Sequence, residues 1–450
     1  MVKLLPRSKS MPQGVLNFSV EGTKESLTSN AGTILFGEYL KATKIDQFCN
    51  AYLPLPQSNR GYMPFEHMQP LLLMLHSGGR VLDDLRMIHK DKAIKETLKI
   101  KHIPVSESVG KWITRHGLHG IYGIESINRK LLRRHLKTID EPLVLDIDAS
   151  VIFSQKSTAV TTYKMQSGYI PMIGHINGGY VIHSEFRSGN IAPADNNLTF
   201  LKRCREQLPK AKSLSFFRAD SASYQAELFN HCNNHHITYT VGANLDHSVY
   251  ANIKEIKEWQ SFQTKEGTAH HLKEEVAEFI HTMQHTDHAF RLIVVKKTVT
   301  PVLPEIWDML SIDEKLDLAR EHYYVIATNA DESMSAQDVV RFYRKRGDTS
   351  ENRIKELKNG FNLNYLPSSN FISNAFYFQI GVLAYNLFIL FKQILQNSWQ
   401  KHTVATIRYK FYRLAGKVVK HSRQTILKVQ KEFVEIFHSI RECIYRVSLE

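Results

Sequence analysis

The run Arg341-Phe-Tyr-Arg-Lys-Arg-Gly-Asp-Thr-Ser-Glu-Asn-Arg-Ile-Lys-Glu-Leu-Lys-Asn-Gly-Phe361 sets the Glu351 carboxylate among Tyr343, Arg346, Lys355 and Lys358, inside a strongly cationic helical surface. Ile354, Leu357 and Phe361 form an apolar stripe at helical spacing. Glu351, Lys355 and Lys358 recur at i, i+4 and i+7, so one face carries acid and base together. Asp348 is positioned to cap a helix whose third residue is Glu351, and Gly347 is expected to break the chain before it. Two readings fit this pattern. One is an ordinary capping box with Glu-Lys pairs, and the other is a site for metal and phosphate.

A second stretch bears on the choice. Leu143-Val-Leu-Asp-Ile-Asp148 alternates, so Leu143, Leu145 and Ile147 face one way while Val144, Asp146 and Asp148 face the other. Burying two like charges side by side is costly unless a cation neutralises them, so the pair Asp146 and Asp148 suggests metal more than structure. Leu214-Ser-Phe-Phe-Arg-Ala-Asp220 is another strand pattern that ends in an acid.

Composition sets the partners. The chain has 450 residues, with 58 Lys and Arg against 44 Asp and Glu, a net charge of +14 that favours a polyanion such as nucleic acid. Its four cysteines form no C-x-x-C pair, which argues against a disulfide framework or a structural zinc site and for a reducing cytoplasm. The apolar run from Phe371 to Leu395 is interrupted by Ser373, Asn374, Gln379 and Asn386, and reads as a buried helix rather than a membrane span.

Tyr343, Arg346, Glu351 and Lys358 together resemble the Y-R-E-K signature of bacterial insertion-sequence transposases of the DDE type. Four residues separate Arg346 from Glu351 where the family pattern has three, and a loop at Gly347 is expected to absorb the extra one. Leu145-Asp-Ile-Asp-Ala-Ser150 resembles the family's first acid motif, which implies Asp148 as the primary ligand with Asp146 as the alternative acid, and Arg218-Ala-Asp-Ser221 resembles its second. Gly78-Gly-Arg-Val-Leu-Asp-Asp84 resembles a segment that precedes a DNA-reading helix, here the one carrying Lys111, Trp112, Arg115 and His116 with Ser106 as its N-cap. A solvated basic face on a bundle helix explains the same residues.

The resemblance implies an α/β protein: an RNase H-like core interrupted by a mainly β insertion, with a helical N-terminal domain and a helical C-terminal tail. The expected divisions are a helical DNA-binding region at 1–140, core segments at 141–235 and 331–400, the insertion at 236–330, and a basic tail at 401–450. It implies catalytic and metal-binding roles for Asp148, Asp220 and Glu351 with two Mg²⁺ or Mn²⁺ ions, and DNA contacts from Tyr343, Arg346, Lys355 and Lys358, joined by Lys111 and Arg115. The activity implied is cleavage of double-stranded DNA at the element's terminal inverted repeats and strand transfer to target DNA, by a homodimer on the bacterial nucleoid. The alternatives are a transposase-derived DNA-binding protein or repressor without cleavage activity, and an RNase H-like nuclease that cuts without joining. Trp259 and Trp307 are candidates for stacking on an extruded base, or for core packing. His235-His236 fits no standard zinc spacing and is assigned no function.

Overall fold

A computed structural model describes residues 18, 20–262, 271–299, 311, 320–422 and 424–449. Trp307 and most of the N-terminal arm lie outside the described residues.

Nine strands form one mixed sheet. In chain order they are β1 (Leu143–Ala149), β2 (Met172–Ile176), β3 (Tyr180–Glu185), β4 (Leu214–Ala219), β5 (Thr238–Ala243), β6 (Gln260–Ser261), β7 (His271–His281), β8 (Phe290–Val299) and β9 (Arg320–Thr328). Their spatial order is 6-7-8-9-5-4-1-2-3. β1, β4 and β5 are parallel, and every other neighbouring pair is antiparallel. The order 3-2-1-4-5 is that of an RNase H-like core. β5, which lies in the interval 236–330, belongs to it through its parallel pairing with β4. β6 to β9 then extend the same sheet outward, with β9 antiparallel to β5.

The helices that flank this sheet include α1 (Ser106–Leu136), α2 (Asn197–Gln207), α3 (Ala226–Asn234), α4 (Ala336–Arg346) and α5 (Phe371–Gln393). α5 is long and apolar enough to cross a membrane by length and composition, yet it is buried inside the fold. The polar residues that interrupt it serve edge strand β3. Asn386 accepts from the Val181 amide at 2.9 Å and donates to the Val181 carbonyl at 2.8 Å and to Asn128 of α1 at 2.7 Å. Gln379 donates to the Ser184 carbonyl at 2.9 Å. A strand edge sealed in this way leaves few backbone groups for another chain to pair with.

Three expectations change. No break occurs at Gly347: its backbone is helical, Gly347–Glu351 forms a π-helical turn, and Asn352–Lys355 and a second π-turn at Glu356–Gly360 come next, so no helix begins at Asp348. Ser106 is the first residue of α1 rather than its cap, and its hydroxyl donates to Asp83 at 2.6 Å. The tail is not helical throughout. Gly416–His421 and Gln424–Lys428 form a hairpin that Ser26–Thr28, from within the expected arm, extends to three strands. The β-branched residues Val418, Val419, Thr425 and Ile426 fit a pleated surface, and Ser422 takes the positive φ of 47° that the turn requires. Helix Val434–Leu449 then returns to the N-terminal helices, where Arg441 holds Glu38 at 2.9 Å.

Replacing Asn386 by Leu leaves the Val181 amide and the Asn128 Oδ1 without their partner in the interior. We expect a loss of about 2–4 kcal/mol in unfolding free energy, read from denaturant titration. An unchanged midpoint would show that the bonds to β3 contribute nothing.

Candidate active site

The strand register brings the first two acids together. Asp146 on β1 lies opposite Arg218 on β4, so two residues further along these parallel strands Asp148 and Asp220 stand side by side at the carboxyl ends. The two acids of β1 have different fates. Asp146 is buried and takes a paired contact from the Arg218 guanidinium, with both N–O distances 2.7 Å. Arg218 also donates to the Phe342 carbonyl at 2.7 Å and lies over the Phe342 ring at 4.7 Å from its centroid. Asp146, the alternative acid of the sequence reading, is thus part of a clamp that fixes α4 against the sheet.

Asp148 keeps a partly open face. Burial and the neighbouring Asp220 and Glu351 carboxylates push its pKa up to about 6, against the opposing pull of Arg346. The Arg346 guanidinium, itself buried, stands 3.2 Å from Asp148 and 3.6 Å from Glu351. It bridges a strand acid and a helix acid that are far apart in sequence. Asp220 begins a short 3₁₀ turn, and its Oδ1 accepts from the Ala222 amide at 3.1 Å.

The π-turn explains how the long Arg346-to-Glu351 interval is accommodated. At about 100° per residue, five α-helical steps leave two side chains about 140° apart, and four leave them about 40° apart. A π-turn takes up one residue without rotating the turns after it, and such bulges are frequent at functional sites. Arg346 and Glu351 therefore share a face, as their 3.6 Å contact requires. Tyr343 faces the same place: a Cβ built at Gly242 would lie 2.9 Å from its hydroxyl and 3.4 Å from the Asp220 carbonyl carbon, so only glycine leaves room for the ring beside Asp220. Burial and the three nearby acids raise the Tyr343 pKa, so it stays a protonated donor.

A cavity of about 550 Å³ opens over this cluster, lined by Asp148, Ser150, Phe153, Glu351, Lys355 and Lys358 among others. Lys358 donates to the Val151 carbonyl at 2.5 Å and to Ser150 at 3.2 Å, which leaves one N–H for a ligand. Lys111 and Arg115 are not among the lining residues. Lys111 is exposed and paired with Glu107 at 2.6 Å. Trp112, grouped with them in sequence, is buried and stacks on His67 with ring centroids 4.7 Å apart. Asp83 and Asp84 secure local backbone and Ser106.

β7 to β9 support α4 from the other side. Val276, Ile293, Val295 and Ile326 form a separate small core with Val339 and Val340 of α4. Arg344 donates to both oxygens of Glu274 at 3.0 and 2.9 Å, and to Tyr324. Motif reading missed both this anchor and the Asp146-Arg218 clamp, since nothing in local spacing pairs residues 70 or more apart. Trp259 is partly buried, with the Lys296 ammonium 4.3 Å from its ring centroid. His235 and His236 gather no ligand set. Among the described residues no three acidic, histidine or cysteine side chains converge as a ready-made metal site, and the four cysteines are free.

Strand order, paired acids and helix acid together define an RNase H-like nucleic-acid-processing protein. The family model for transposase DDE domain group 1 matches residues 13–448, and the chain belongs to that family. No curated protein matches it.

The raised Asp148 pKa has a consequence for stability. The folded carboxyl titrates near about 6 and an unfolded aspartate near about 4, so the folded state holds this proton more tightly. Its contribution is most favourable below about pH 4 and is lost as pH rises through about 6. Asp148→Asn cannot ionise, so with chelator present it should melt above the wild type at about pH 8, with the gap closing below about pH 4. Parallel melting curves at all pH values would show that Asp148 carries no such cost.

Proposed function

We propose that the protein cuts DNA at the ends of its element and joins the freed ends to target DNA, with Asp148, Asp220 and Glu351 holding divalent metal. The observation that carries this reading is the Arg346 guanidinium drawn between Asp148 and Glu351. A cation already occupies the space between two acids from distant parts of the chain. Their donor atoms are hard carboxylate oxygens, which suit Mg²⁺ or Mn²⁺. When bound, such ions activate the attacking oxygen and neutralise charge on the phosphoryl group and the leaving oxygen.

The chain's own residues do the rest. Asp148 and Glu351 would hold the metal, and Arg346 beside them would contact a DNA phosphate. Tyr343 donates its hydroxyl to a phosphate beside Asp220, and Lys355 and the remaining N–H of Lys358 hold the strand along the cavity. In cleavage, water adds to phosphorus as the P–O3′ bond breaks, leaving a 3′-hydroxyl and a 5′-phosphate. In joining, that 3′-oxygen adds to a target phosphorus as the target's own P–O3′ bond breaks. Lys111 and Arg115 contact phosphates outside the cavity, and a homodimer brings two ends together.

Cleavage and strand transfer on duplexes taken from the DNA flanking the coding sequence, with and without Mg²⁺, test this reading. Asp148→Ala, Asp220→Ala and Glu351→Gln should each lower cleavage by at least about 10³-fold while duplex affinity changes less than about threefold. A variant that still cuts removes its residue from the site. Binding by the wild type without metal-dependent cleavage favours the repressor reading.

A further inference from the structure

Between β1 and β2 the chain rises into a small separate sheet. Ile152–Phe153 pairs with Ser167–Tyr169, which pairs in turn with Val160–Thr161. Its base is fixed. Tyr169 is fully buried against Phe186 and Phe371 and shares a hydrogen bond with Thr158, whose hydroxyl also donates to the Ser369 carbonyl at 3.1 Å.

The tip, Tyr163-Lys164-Met165, has the opposite character. Tyr163 is 57% exposed and Met165 83%, and Phe153 below them is half exposed on the cavity wall. The turn is nevertheless tightly held. Buried Thr162 accepts from the Met165 amide and donates through both its amide and its hydroxyl to the Gln166 carbonyl, each bond 2.9 Å. Met165 is driven to a φ of 59°, a left-handed conformation that a side chain of this kind rarely adopts. A strained residue held in place with its apolar side chain in solvent is the kind of feature that collects at functional sites.

The charge around the tip identifies the partner. Phe153, which pairs with Gly168 in this sheet, lines the cavity together with Lys358, whose pKa is lowered by burial and then by the nearby Lys164 charge, so the tip stands at the lip of the cavity. The chain contains no acidic residue from Ala149 to Ser184, while Lys156 and Lys164 both fall in that span. An aromatic ring and a methionine on either side of Lys164 suit a base stack flanked by phosphates.

We propose that Tyr163 and Met165 form a wedge that enters the base stack next to the phosphate held in the cavity, with Lys164 on the adjoining backbone. The wedge unstacks one step and so opens the duplex beside the cleavage position. This rests on the DNA-cutting reading of the site.

The test is permanganate oxidation of thymines in duplexes from the DNA flanking the coding sequence, with Ca²⁺ in place of Mg²⁺ so that the strands stay intact. Bound wild type should make thymines at one or two adjacent positions reactive. Tyr163→Ala and Met165→Gly should bring them to within about twofold of free-duplex reactivity while both variants still bind. Because glycine tolerates positive φ, Met165→Gly should also melt no lower than the wild type, which separates loss of the wedge from loss of fold. Reactivity retained by both variants, or no reactive thymine with the wild type bound, overturns the wedge and leaves the cutting site standing. No salt-dependent duplex binding by the wild type overturns the DNA reading itself.

Discussion

Everything at the centre of this protein depends on placing two carboxylates two residues apart on one face of a buried strand. Each has a different arginine as its counter-charge. Arg218 comes from the neighbouring parallel strand and closes on Asp146 from both sides. Arg346 comes from a helix more than a hundred residues later and meets Asp148 from the open side. The first pair is sealed inside the sheet, while the second reaches the two carboxylates, Asp148 and Glu351, that line the cavity. Counter-charge thus comes to one strand in two settings, two residues apart.

The clamp and the cation are mechanically linked. Arg218 reaches past Asp146 to the Phe342 carbonyl, one residue before Tyr343 and four before Arg346. On its far side α4 is held by Arg344 and Glu274 and by a small apolar core shared with β8 and β9. The strands inserted between β5 and α4 therefore act as a brace for the helix that leads into the turn carrying Glu351. The π-turn then brings Glu351 onto the face that Arg346 already occupies.

Much of this was legible in the sequence. The alternation in Leu143–Asp148, the strand ending at Asp220 and the helical stripe after Glu351 located the elements that meet at the cavity, because each depends on local periodicity. The division of labour between Asp146 and Asp148 was not legible. It depends on the register between β1 and β4, and a two-residue slip would have set Arg218 opposite Asp148 instead. The π-turn was hidden for a related reason: Gly347 looks the same in a loop and in a helix, and only packing on both sides of α4 keeps the backbone helical. Trp112 resembled a surface residue among lysines and arginines, yet His67 from another helix covers it.

The central claim is that acids 203 residues apart, Asp148 and Glu351, share one cation. Binding of Mn²⁺ alone, measured by titration calorimetry on the wild type, Asp148→Asn and Glu351→Gln, tests it without DNA or turnover. Both variants should bind the ion at least about tenfold more weakly than the wild type. Wild-type affinity retained by Glu351→Gln would contradict the account and leave Glu351 as a surface acid near a site it does not complete.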